Sequence, residues 1–167
     1  MYTIVPKRYR IVDNKTSKNF KSKTFNGYKK TQVFSELKKN ILSGNIEKAI
    51  LWATEIHCSG YIDMLYNRLF NIYVTEINKA NLKILNIFLN DFKKIAIIKG
   101  KYNNILETRN DQYVRNHIHN LITLLTFSPK AKIPKLPKIM SEDVNMKNHR
   151  NNLLSDNFSM IRSCIEA

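Results

Sequence analysis

Residues 27–60 read GYKKTQVFSELKKNILSGNIEKAILWATEIHCSG, and the punctuation of this stretch decides the fold. Thr31 offers the side-chain oxygen of a helix N-cap, and Gly44 ends the apolar run of Val33, Phe34, Leu37 and Ile41. Asn45 caps a second helix, which ends at Gly60. Between the glycines lie two amphipathic helices, residues 32–43 and 46–57, joined by a tight turn into an antiparallel hairpin. The first gathers its apolar residues into one quadrant, with Lys38 and Lys39 outside it. The second puts Ile46, Ala49, Ile50, Ala53, Ile56 and His57 on one face, with Trp52 on its flank. Small Ala49 and Ala53 let a neighbouring backbone come close.

Outward from the hairpin, residues 61–78 repeat the helical period through Ile62, Leu65, Leu69, Ile72, Tyr73 and Glu76. Residues 82–98 are apolar nearly all round. Leu82, Leu85, Phe88, Leu89, Phe92 and Ile95 share one side, while Ile84, Ile87, Ile97 and Ile98 fall on others. That pattern belongs to a helix at the centre of a bundle or one covered by a partner, and Gly100 closes it. After a polar loop, residues 111–126 predict a fifth helix with Val114, Ile118, Leu121, Ile122 and Leu125 inward and Asp111 paired with Arg115 on its surface. Pro129 stops it. KAKIPKLPK, residues 130–138, reads as an extended linker. Ser141, Glu142 and Asp143 then open a last helical segment carrying Leu153, Leu154, Phe158, Met160 and Ile161. The expected fold is all-α, an antiparallel bundle of about five helices over residues 28–127. A basic arm at 1–27, flexible or ordered by a partner, precedes it; a Lys/Pro linker at 128–140 and a helical segment at 141–167 follow.

The charge is lopsided: 28 Lys and Arg against 13 Asp and Glu over 167 residues, a net +15. Residues 1–30 alone hold nine cations and one acid, so the excess lies mainly outside the helices and favours a polyanion partner. Lys7, Arg8, Arg10, Lys15, Lys18, Lys21, Lys23, Lys29 and Lys30 alternate there with Tyr2, Tyr9, Phe20 and Phe25. Cations displace counterions from phosphates, and aromatic rings stack on unpaired bases. These nine cations with Tyr9 are the candidate nucleic-acid-binding residues. No base-reading motif accompanies them, so such contact is to the backbone and not sequence-specific. The competing reading is an adaptor or internal structural subunit, self-associating or threading its basic tails across neighbouring proteins.

Catalytic chemistry is missing from the pattern. None of the four glycines stands in a phosphate-cradling motif, and no carboxylate pair reads as an acid–base couple. His117 and His119 are about 200° apart on a helix and cannot share a metal. A metal-dependent enzyme built on His57, His117 and Glu76 lacks the ligand spacing. His57 instead reads as a hydrogen-bonded core histidine, Glu76 as a paired helix-end carboxylate, and Trp52 as a packing residue. Cys58 and Cys164 match no disulfide or zinc framework and read as reduced thiols. The N-terminal stretch MYTIVPKRYR has no apolar core of a secretory signal, and no apolar run spans a bilayer. The expectation is a non-enzymatic intracellular protein with no cofactor, no metal and no membrane contact.

Two resemblances attach to the opening hairpin. GYKKTQVFSELKKNILSGNIEKA, then WATEI and SG, resembles a family of short uncharacterised helical proteins of nucleocytoplasmic large DNA (giant) viruses, over residues 27–92. That likeness implies no particular activity; it implies host cytoplasm, a virus factory or a virion as the setting. VFSELKKNI followed by AILWATEI is also similar to the helical C-terminal domain of clamp-loader-like replication-restart ATPases. This implies a helical assembly module at most, since the chain has no Walker motif, and the acidic motif that usually follows is not recognisable at residues 73–78.

Overall fold

The computed structural model describes residues 6–13, 15, 17–102 and 104–132. All lie in the first of the two units into which the chain divides, Met1–Ile133. The linker beyond residue 132, the helical segment at 141–167 with Cys164, and Tyr2 fall outside the described residues.

Among the described residues, two 3-10 turns, Lys7–Tyr9 and Ser17–Phe20, precede six helices: α1 (Lys30–Leu42), α2 (Ile46–Cys58), α3 (Ile62–Glu76), α4 (Lys83–Lys101), α5 (Ile105–Arg109) and α6 (Gln112–Phe127). The protein is an all-α helical bundle. The hairpin forms for local reasons. Gly44 takes φ +77° just past α1, where a side chain would be strained. Asn45 N–H then reaches Asn40 O at 2.9 Å and Gly44 N–H reaches Ile41 O, the paired bonds of a Schellman motif. Gly60 does the same for α2, with Tyr61 N–H on Ile56 O and Gly60 N–H on His57 O. Asn45 caps α2, its side chain accepting from Lys48 N–H at 3.2 Å. Asn45→Ala should therefore lower stability by about 1 kcal/mol in urea unfolding, and Asn45→Asp by much less.

Thr31 is not the cap of α1. That helix starts at Lys30 behind Lys29, with no side-chain cap. A turn through Thr24 and Tyr28 brings Lys23 beside Lys29, and Ser22 O accepts Lys30 N–H, so backbone replaces the side chain. The loop after α4 holds the short helix α5, capped by Asn104 accepting from Leu106 N–H at 3.0 Å. Gly100 does not close α4, which runs on to Lys101.

At the centre stands α6, which touches every other helix and fully buries Val114, Leu121, Ile122 and Leu125. Against it pack Val33, Leu37 and Ile41 of α1, Ala49, Ala53 and Ile56 of α2, and Leu65, Leu69 and Ile72 of α3. Each large apolar side chain so buried contributes about 1.5–3 kcal/mol. Helix α4 is peripheral, not central. Its seam is Ile84, Phe88, Asp91, Ile95 and Ile98, while Leu82, Leu89 and Ile97 are exposed. Rings fill the space towards α3: Phe88 meets Phe70 edge-on at 5.4 Å and Tyr73 at 5.6 Å.

Candidate nucleic-acid interface

Between Pro6 and Lys30 the described residues of the arm have many partners in the bundle, where a flexible or partner-ordered arm was expected. Arg115 Nη1 donates to Tyr9 O at 3.1 Å. The Asn110 amide exchanges two hydrogen bonds with the Ile11 backbone, both 2.8 Å, as a neighbouring strand would. Asp13 meets the Arg109 guanidinium at 2.9 and 3.3 Å, and Arg109 also donates to Lys15 O. Arg109 is 1% exposed, with the rings of Phe20 and Phe25 5.9 and 5.8 Å from its guanidinium carbon. Phe20 is itself buried, and its carbonyl accepts from Tyr61 Oη. Further along, Asn26 donates from backbone and side chain to the buried Glu55 carboxylate, and Phe25 N–H donates to Ser59 Oγ. The Tyr28 ring stands edge-on to Trp52 at 5.3 Å.

The consequence is a sorting of the arm. Asp13 and Phe20 turn inward, and the carbonyls of Tyr9, Ile11, Lys15 and Phe20 accept from the bundle. Lys7, Arg8, Arg10, Lys15, Lys18, Lys21, Lys23 and Lys29 are exposed, and Lys30 lies half-buried over the Tyr61 ring at 3.8 Å. Among the described residues, Lys7, Lys18, Lys21, Lys23 and Lys29 pair with no carboxylate. Phe20 is removed from the base-stacking set by its burial beside Arg109, while Phe25 flanks the same guanidinium and stays 37% exposed. Tyr9 remains in it, 58% exposed, with Arg8 stacked on its ring at 4.7 Å.

The residues that hold the arm, Arg109, Asn110 and Arg115, were invisible as such in the sequence. Asp111 and Arg115 do not form the expected surface pair. Asp111 is buried as the cap of α6, accepting from Val114 N–H and Tyr102 Oη. Arg115 Nε donates instead to Arg109 O at 3.0 Å. The one signal was the density of hydrogen-bonding side chains in Thr108, Arg109, Asn110 and Asp111.

The three residues weighed as metal ligands are not brought together. His57 Nε2 lies 3.0 Å from Arg109 O. His117 Nδ1 lies 3.1 Å from Asp91 Oδ1. Glu76 accepts from Lys38 Nζ at 2.7 Å, and that bond holds its carboxyl below the usual range against the opposing effect of burial. Among the described residues no three His, Cys, Asp or Glu side chains form a metal-holding group, and no helix is long and apolar enough to cross a membrane. No protein-family model matches the chain, and a search of curated proteins finds no match.

Proposed function

We propose that this chain is a non-enzymatic nucleic-acid-associated protein, contacting phosphates through the basic strap that its arm forms along the bundle. The sorting of the arm carries this reading: its acid is neutralised inside by Arg109, and a row of lysines and arginines is left facing out. A docked strap has already lost the conformational freedom that a loose tail gives up on binding. The exposed cations release counterions, which makes affinity fall with salt and leaves base sequence unread. With the resemblance to proteins of large DNA viruses, the setting proposed is intracellular, in a replication factory or a virion.

Deleting the arm would strip from the fold the buried Phe20 and the Asp13 partner of Arg109, so charge substitution is the cleaner test. Fluorescence anisotropy with a labelled oligonucleotide across a potassium chloride series should give a steep linear log–log slope. Lys18→Ala, Lys21→Ala and Lys23→Ala together should flatten it by about one unit per lysine. A slope indifferent to these three lysines, or no binding at low salt, sinks the proposal. The adaptor reading draws support from Leu82, Leu89 and Ile97, which are 68%, 51% and 58% exposed along one side of α4. On that reading the lysine substitutions break assembly while nucleic-acid affinity stays negligible throughout.

A further inference from the structure

Where the arm crosses α2 and α6 it closes over a cavity of about 290 Å³. Tyr9 and Ile11 form one wall; Thr54, His57 and Cys58 of α2 form another, and Arg115, Ile118 and His119 of α6 complete it. We propose that this cavity receives one unpaired nucleobase from a strand whose phosphates lie along the arm. The inference rests on the phosphate-contact reading above and names the part of the nucleic acid that enters the protein.

Size comes first. The volume sits at the lower edge of small-molecule pockets, about 300–1,000 Å³, which suits a single ring system. Position comes next. The cavity opens beside Tyr9, whose ring is exposed and backed by Arg8, so a base leaving its stack meets a π face first. Lys7, Arg8 and Arg10 flank Tyr9 in the chain and hold the sugar-phosphate backbone outside. Arg115 is locked by three hydrogen bonds, to Arg109 O, Asn110 Oδ1 and Tyr9 O. A guanidinium has five N–H groups, so two remain to meet a phosphate or a base carbonyl at the mouth.

Polarity inside agrees. His57 is 3% exposed, and its Nε2 faces the Arg109 carbonyl, so the proton sits on Nε2 and Nδ1 is a bare acceptor. Nδ1 is sealed from solvent without a hydrogen-bond partner among the described residues, so it belongs to the core behind the cavity and not to its polar lining. Burial pushes His57 down to about 4 and lowers His119 as well, so both rings are neutral at neutral pH. Cys58 is held in its thiol form by burial. Arg115 is then the one charged group in the lining, an arrangement fit for a neutral base with its phosphate outside.

Duplex ends aside, paired bases cannot enter, so single strands should gain an affinity that their charge does not explain. The experiment compares a dodecamer of deoxyadenosines with an abasic dodecamer of equal charge by anisotropy. The wild-type protein should bind the base-bearing strand about tenfold more tightly. Thr54 is exposed on α2 at the wall of the cavity, so Thr54→Tyr occupies the space a base would take and should abolish the difference between the two strands. A strand carrying 2-aminopurine should change emission on binding wild-type protein, which tests insertion without any variant. Equal affinity for the two strands with unchanged emission overturns base insertion, and a steep salt slope for both then leaves the phosphate reading standing. Loss of binding to both strands at low salt overturns the two together.

Discussion

Asp13→Ala is expected to cost about 3–5 kcal/mol of stability, more than removal of its partner by Arg109→Met. The asymmetry follows from where each charge sits. Arg109 has 2% of its side chain exposed, against 24% for Asp13. Without Asp13 the guanidinium stays buried, with Lys15 O as its hydrogen-bond acceptor and the two phenylalanine rings as neighbours. Without Arg109, Asp13 turns to water and methionine fills the slot between the rings. That exchange should cost within about 1–2 kcal/mol. The double variant should sit close to Arg109→Met alone, a large coupling in a double-mutant cycle. Urea unfolding followed by circular dichroism gives the energies, and tryptic cleavage after Lys15, Lys18 and Lys21 reports release of the arm. If Arg109→Met proves the costlier single change, the pair is not the buried clamp described. The hydrogen bond from Arg109 also holds the Asp13 carboxyl below its usual range, burial partly opposing it. This stability is fully present above the unfolded value near 3.8 and is lost as pH falls through the lower folded value.

Acidification should weaken the fold earlier than that, through His57. Burial pushes its pKa from 6.5 down to about 4; the Arg109 carbonyl opposes this, while the charges of Arg115, Arg109 and His119 add to it. The unfolded chain therefore takes up a proton that the folded chain refuses. Above 6.5 neither state binds it and nothing is lost. From 6.5 down to about 4 each pH unit removes roughly 1.4 kcal/mol, about 3 kcal/mol across the window. Asp91 acts in the opposite sense: burial raises its pKa against the attraction of His117, so its burial is least unfavourable when protonated. Chemical denaturation at half-unit steps from pH 7.5 to 4 should show the loss. His57→Gln keeps a donor for the Arg109 carbonyl and cannot titrate, so its profile should be flatter over the same range. An unchanged slope in that variant would place the titration elsewhere.

Much of the fold was legible because it is written in short-range chemistry. The Schellman turns at Gly44 and Gly60 and the Asn45 cap involve residues within five positions of one another. A glycine or asparagine at the right place states them outright. The inward faces of α1, α2, α3 and α6 follow from a clear 3.6-residue period. Helix α4 was misread because it is apolar nearly all round, so periodicity could not choose its seam. The rings of Phe70 and Tyr73 on α3 and the pairing of Asp91 with His117 on α6 made that choice.

The candidate site was only half legible. Its cations could be named from composition, but whether they trail in solvent or lie on a surface could not. By itself, the sequence determined an all-α bundle, the hairpin at its start and the basic character of the arm, since helical period, capping and charge are local or additive. Tertiary structure alone decided that the arm is a strap, that Phe20 is buried beside Arg109 instead of facing a base, and that a cavity lies beneath Tyr9. The reason is separation: Asp13 and Arg109 are 96 residues apart, and only closure of the bundle excludes the water that would otherwise make the pair worth little.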